Sequence, residues 1–146
     1  MKAFAFSLGH VLDWRRTQLE MEENNLRRLV AMREELVLAL VRLEMVQSRA
    51  EQSVREAASV PAGDLWALAG YRRRLIGERA ALEQRRKVCE QQIAAQRQKV
   101  LEAQRQCRLL EKIEERRRAE WRQAAGRELE TLAAESFLTR WNRQAR

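Results

Sequence analysis

The sequence predicts an all-α fold, a long antiparallel two-helix coiled-coil hairpin with a C-terminal helical overhang. Three observations carry that reading: a composition built from helix formers, a single strong chain break, and apolar heptads in both arms that match when folded onto each other. The 146 residues include one proline, five glycines, 5% aromatic and 34% charged residues. Ala, Glu, Gln, Leu and Arg dominate, which are among the residues that enter a helix at least cost. Two helices bury only a thin seam and leave most of their surface wet, which suits a mean hydropathy of −0.61.

The first arm is expected to be helical over about 8–58. Leu12, Leu19, Leu26, Leu40 and Val54 share one heptad position, interrupted by Arg33 and Gln47. A companion row runs Arg15, Glu22, Leu29, Leu36, Leu43, Ala50 and Ala57. Paired rows of this kind are the signature of a coiled-coil seam. The break follows at 59–64, in Ser59-Val60-Pro61-Ala62-Gly63-Asp64. Pro61 stops a helix, Gly63 permits a tight turn, and Asp64 can cap the next helix.

The second arm is expected over about 64–138, with a frayed C-terminal end. Leu68, Leu75, Leu82, Cys89, Gln96, Ala103 and Leu110 share one position, beside Leu65, Arg72, Arg79, Arg86, Ile93, Val100 and Cys107. Folding the chain about Pro61 brings Leu12 opposite Leu110, Leu19 opposite Ala103, Leu29 opposite Ile93, Leu40 opposite Leu82 and Val54 opposite Leu68. Mixed layers such as Leu36 with Arg86 and Leu43 with Arg79 are tolerable because an arginine stem lies over apolar surface while its head reaches water. In this register Leu8 already faces Glu114, so residues from about 115 onward have no partner in the chain. Trp121, Ala125, Leu129, Leu132, Phe137 and Trp141 fall largely along one face of that overhang. An apolar stripe without a partner in its own chain predicts a partner elsewhere. The whole chain, 1–146, is read as one elongated domain.

The net charge of +8 is unevenly placed. The first sixty residues hold nine Lys/Arg and nine Asp/Glu, so the excess lies entirely on the second half. A basic face suits an acidic protein, a nucleic acid or an anionic membrane. Arginine runs at 72–74 and 116–118 and the run Arg85-Arg86-Lys87 read first as solvated faces with i,i+4 glutamates, then as a docking surface for an acidic protein. Nucleic-acid binding is the weakest reading because no recognised binding motif accompanies the charge.

Catalytic chemistry finds no foothold in the sequence. His10 is the only histidine, a zinc site lacks its ligands, and there is no glycine-rich phosphate loop or nucleophile elbow. Cys89 and Cys107 fall on seam positions and stand eighteen residues apart, roughly 27 Å along one helix, too far for a disulfide. They read as small buried hydrophobes. The expectation is a non-enzymatic protein without cofactor, metal or small-molecule substrate. Without disulfides or a run of ~18 apolar residues, the cytoplasm is the expected compartment. The stretch Lys2–Leu12 imitates a signal peptide only faintly, because it runs into Asp13-Trp14-Arg15-Arg16 without a small-residue cleavage site.

The opening Phe4-Ala5-Phe6-Ser7-Leu8, with Arg15-Arg16 and Glu20, resembles the start of FliJ, the stalk-like protein of the bacterial flagellar export apparatus. Leu109–Arg117 and Arg127–Ala133 are similar to that family's Leu/Glu/Arg-rich second half, and Trp66 and Tyr71 follow the bend as the family pattern does. Ala124-Ala125-Gly126 and Glu130-Thr131 depart from the family's usual ending. The resemblance implies a two-helix stalk that binds the hexameric flagellar export ATPase, an export-gate membrane protein and export chaperones. It further implies a position peripheral to the inner membrane through those partners. By that likeness the open end, residues 8–16 with 108–141, enters the ATPase ring, with Arg15, Arg16, Arg116, Arg117, Arg118, Trp121, Leu129 and Leu132 as contact residues. The aromatic-x-x-x-Leu pair Tyr71 and Leu75 corresponds to the gate contact. Three alternatives stay open: the equivalent stalk of a virulence-type secretion system, a basic nucleic-acid-binding coiled coil, and a scaffold whose overhangs pair between chains.

Overall fold

The computed structural model describes residues 3–144 and forms an all-α helical hairpin of two long helices in contact, α1 (Gly9–Glu56) and α2 (Ala62–Gln144). No strand occurs among the described residues. The residues divide into two compact units, one made of the chain up to Glu20 with that from Leu101 onward, the other of Met21–Val100.

Within Met21–Val100 the helices meet along the heptad rows. Leu40, Leu75, Cys89, Ile93, Gln96 and Val100 are buried, and Leu26, Leu29, Arg33, Leu36, Leu43, Gln47, Val54, Leu68, Leu82 and Arg86 are half-buried. Burial follows the heptad over most of this stretch, polar Gln96, Arg33 and Gln47 included, because the supercoil fixes which positions face inward. Near the bend it does not: Ala57, Leu65, Arg72 and Arg79, all expected on the rows, are exposed, the two arginines turning their heads to Glu51 and Glu44 at the edge of the seam. The expected register places Glu44 opposite Glu78 and Glu51 opposite Tyr71. The observed ion pairs run from those carboxylates to the next residue, Arg79 at 3.1 Å and Arg72 at 2.6 Å. Gln96 makes a polar layer: its Nε2 donates to the Glu22 backbone carbonyl at 3.0 Å and to the Glu22 carboxylate. Cys89 donates through Sγ to the Leu29 carbonyl at 3.3 Å.

The bend differs from its sequence expectation. α1 ends at Glu56, the link is 57–61, and α2 begins at Ala62, so the turn lies earlier than 59–64. Gly63 is inside the helix, and no described glycine has a positive φ, so the turn needs no glycine. Pro61 occupies the cap position, its carbonyl accepting from the backbone N–H of Asp64 at 3.0 Å. Asp64 is therefore a first-turn residue rather than the cap, and its carboxylate faces the positive end of the helix dipole. At the other end α2 runs on to Gln144, past the expected end at about 138; the last two residues lie outside those described.

In the other unit Leu12, Leu19, Ala103, Cys107 and Leu110 build a short seam: Leu12 and Cys107 are buried, Leu19, Ala103 and Leu110 half-buried. α1 starts at Gly9, and residues 3–6 ahead of it are not helical. An extended chain climbs about 3.3 Å per residue against 1.5 Å in a helix, so this short lead reaches far along α2. Phe4 arrives at Trp121, with ring centroids 6.0 Å apart and planes tilted by 59°. The expectation that residues from 115 onward lack a partner is corrected by that contact. Trp121, Ala125 and Gly126 are half-buried, and continuous exposure begins only at Arg127.

Candidate functional site

The unit holding residues 3–20 and 101–144 gathers most of the expected contact residues. Arg16 donates through Nη2 to Glu111 at 3.1 Å and lies 3.8 Å from Asp13. Arg118 pairs with Glu114 at 2.9 Å, and its guanidinium also stands 5.4 Å from the centre of the Phe4 ring. Arg16, Glu111, Glu114, Glu115 and Arg118 line a shallow open groove. Its charges largely answer one another, so it lacks the excess of one sign that would capture a small ion. Arg15 is half-buried and lies 4.7 Å from the Trp14 ring centre. Exposed Arg116 and Arg117, by contrast, meet no carboxylate among the described residues.

Beyond this cluster lies a helical segment, 127–141, exposed at every position. Leu129, Leu132, Phe137, Leu138 and Trp141 all stand in solvent, and Phe137 stacks on Trp141 one turn on at 6.4 Å and 27°. The seam's sevenfold spacing does not continue here. From Trp121 the apolar positions step to Ala125, Leu129 and Leu132 along one face, but at about 3.6 residues per turn Phe137, Leu138 and Trp141 fall on other sides of the helix, so the single apolar face expected for the overhang does not run to its end.

Of the two residues expected at the gate contact, Leu75 is 5% exposed and belongs to the seam, whereas Tyr71 is 37% exposed and offers surface. A partner touching this place meets Tyr71 while Leu75 stays inside. Arg72 and Arg74 in the same stretch are tied to Glu51 and Glu78.

The cysteines behave as their seam positions require. Both are buried and unpaired with each other, and burial pushes the Cys107 thiol above its ordinary range, with Glu111 adding to the shift. A thiol held protonated is a poor nucleophile and a poor metal ligand. No group of His, Cys, Asp and Glu among the described residues could hold a metal ion. Among the described residues no helix is long and apolar enough to cross a membrane.

The site residues that sequence reasoning missed are Phe4 and Phe6. Both are half-buried while Ala3, Ala5 and Ser7 are exposed. Alternation of period two was the available signal for an extended segment laid on a surface. No family model, curated protein or solved structure matches the chain.

Proposed function

We propose that this chain is a non-enzymatic, stalk-like component of bacterial flagellar protein export, similar to FliJ, which binds the hexameric export ATPase and promotes its activity. The observation that carries the reading is the exposed helical segment from Arg127 onward, with its large apolar side chains in solvent. A lone helix of this length is marginal in water, and four large apolar side chains besides Trp141 gain nothing by facing solvent. A ring that encloses the segment would cover every side of it, which suits Leu129, Leu132, Phe137, Leu138 and Trp141 spread widely around the helix. Exposed Arg116 and Arg117, which meet no carboxylate among the described residues, lie just before it and supply charge for acidic groups at the ring's mouth. In this reading Tyr71 makes the export-gate contact and Leu75 fixes the face on which Tyr71 sits. Export chaperones are further partners, and the protein works in the cytoplasm against the inner membrane.

The test is the ATPase rate of the cognate flagellar export ATPase with increasing amounts of full chain, or of a chain ending at Gly126. The shorter chain keeps Phe4 on Trp121 and loses only the exposed helix. Stimulation by the full chain that disappears on truncation supports the proposal. An unchanged rate, with neither chain co-eluting with the ATPase, overturns it.

A further inference from the structure

The middle of α1 carries more apolar surface than one seam can use. Glu35-Leu36-Val37-Leu38-Ala39-Leu40-Val41-Arg42 is apolar at six successive positions, so the helix is apolar all round there. Leu36, Leu40 and Leu43 face α2. Leu38, Val41 and Met45 are 53%, 46% and 51% exposed. These three are spaced three and four residues apart, and with Ala31, Glu34 and Ser48 they form a second set of heptad rows on the outer side of the helix. Val37, also exposed, flanks the rows on one side, and Glu35 and Arg42 flank them on the other.

The charges on that flank decide what covers it. Neighbouring glutamates of α1 are occupied within the hairpin, Glu44 by Arg79 and Glu51 by Arg72. Glu35 and Arg42 are exposed and make no ion pair among the described residues, and seven residues apart they cannot reach each other. In an antiparallel pair of two identical helices, a given flank meets the same flank of the other copy. With Leu38 of one copy set against Val41 of the second, that geometry brings Glu35 opposite Arg42, and by symmetry Arg42 opposite Glu35. A parallel pair instead sets these two charges beside Val30 and Val37, where neither finds an opposite charge. The next positions outward on the flank are Arg28 and Arg49, which oppose one another and end the favourable register. The first sixty residues are also neutral overall, so this is the part of a strongly basic chain where two copies meet without net repulsion.

We propose that the protein forms an antiparallel homodimer through the outer face of α1, with Leu38 and Val41 of both copies at its centre and two Glu35–Arg42 ion pairs on its flank. The site is separate from the exposed C-terminal helix, and the inference stands whether or not the chain binds an export ATPase. A seam this short predicts weak association, with a Kd of roughly 10–100 μM.

Sedimentation equilibrium of the full chain under reducing conditions, over concentrations bracketing that range, reads the outcome. The wild-type chain is expected to pass from monomer to dimer. Glu35→Arg and Arg42→Glu each place like charges opposite one another and should weaken the dimer at least about tenfold. An equimolar mixture of these two variants should form a heterodimer, and the double exchange E35R/R42E should restore the homodimer. Leu38→Gln should abolish association with helix content unchanged, because the side chain it replaces is already in solvent. A wild-type chain that stays monomeric throughout overturns the proposal, as would happen if the face serves a different protein. Single variants that dimerise like the wild type, or a double exchange that fails to restore the dimer, overturn it equally.

Discussion

Glu51 shows how an interrupted heptad still holds a seam. Its Oε1 accepts from Arg72 Nε at 3.0 Å, from Arg72 Nη2 at 2.6 Å and from Gln47 Nε2 at 3.1 Å. The Arg72 hydrogen bonds, then that of Gln47, hold its carboxyl below the ordinary glutamate range. A carboxyl with a lowered folded-state pKa adds stability that is present above the unfolded value and is lost as pH falls through the folded one. The melting temperature of the wild type should therefore exceed that of Glu51→Gln at neutral pH, and the gap should close as the solution is acidified below the usual glutamate range. A gap that stays constant with pH would mean the ion pair contributes nothing, as many exposed pairs do. The sequence showed Gln47 as an interruption of its row and Arg72 as a row member within the 72–74 arginine run. Which carboxylate they answer depends on the azimuth of a third residue across the seam, and heptad spacing alone does not give it.

At the scale of elements, the two helices were legible because side-chain direction repeats with the backbone. Every residue placed on a row from Leu12 to Val54 is buried or half-buried, Arg33 and Gln47 included. The bend was legible as a place but not as a geometry, since Pro61 announces an interruption whether it sits inside the turn or caps the following helix. The segment 3–6 was hidden for another reason: helix-based register counts residues, and an extended chain covers twice the distance per residue. Its function at this scale is to carry α2 past the start of α1, with Phe4 as the fastening. An aromatic pair contributes about 0.5–1.5 kcal/mol beyond the area it buries. Phe4→Ala should accordingly raise amide hydrogen exchange around residues 116–125 by about three- to tenfold, leaving the Cys89–Val100 stretch unchanged. Equal exchange in both proteins would show that Phe4 is not what holds Trp121.

For the molecule as a whole the decisive quantity is where its charge goes. The net +8 belongs to residues 61–146, and the arginine runs there are only partly answered: Arg72, Arg74, Arg86 and Arg118 lie near carboxylates, whereas Arg73, Arg85, Arg116 and Arg117 meet none among the described residues. Two readings of that excess give different salt dependence. If the basic half steers the chain to an acidic protein ring and the apolar helix then holds it there, salt slows the encounter and leaves the dwell time nearly untouched. Affinity for the export ATPase should then fall less than about tenfold between 50 and 200 mM salt, since apolar burial carries the bound state. Arg116→Ala with Arg117→Ala should flatten even that dependence, through the association rate. A duplex-binding coiled coil must instead release one counterion for each phosphate it neutralises, and loses about a thousandfold or more over the same range. Fragments of DNA and the export ATPase titrated side by side at both salt concentrations separate the cases. A steep loss on the ATPase, or tight and salt-sensitive binding to DNA, would move the function from the apolar helix to the arginines.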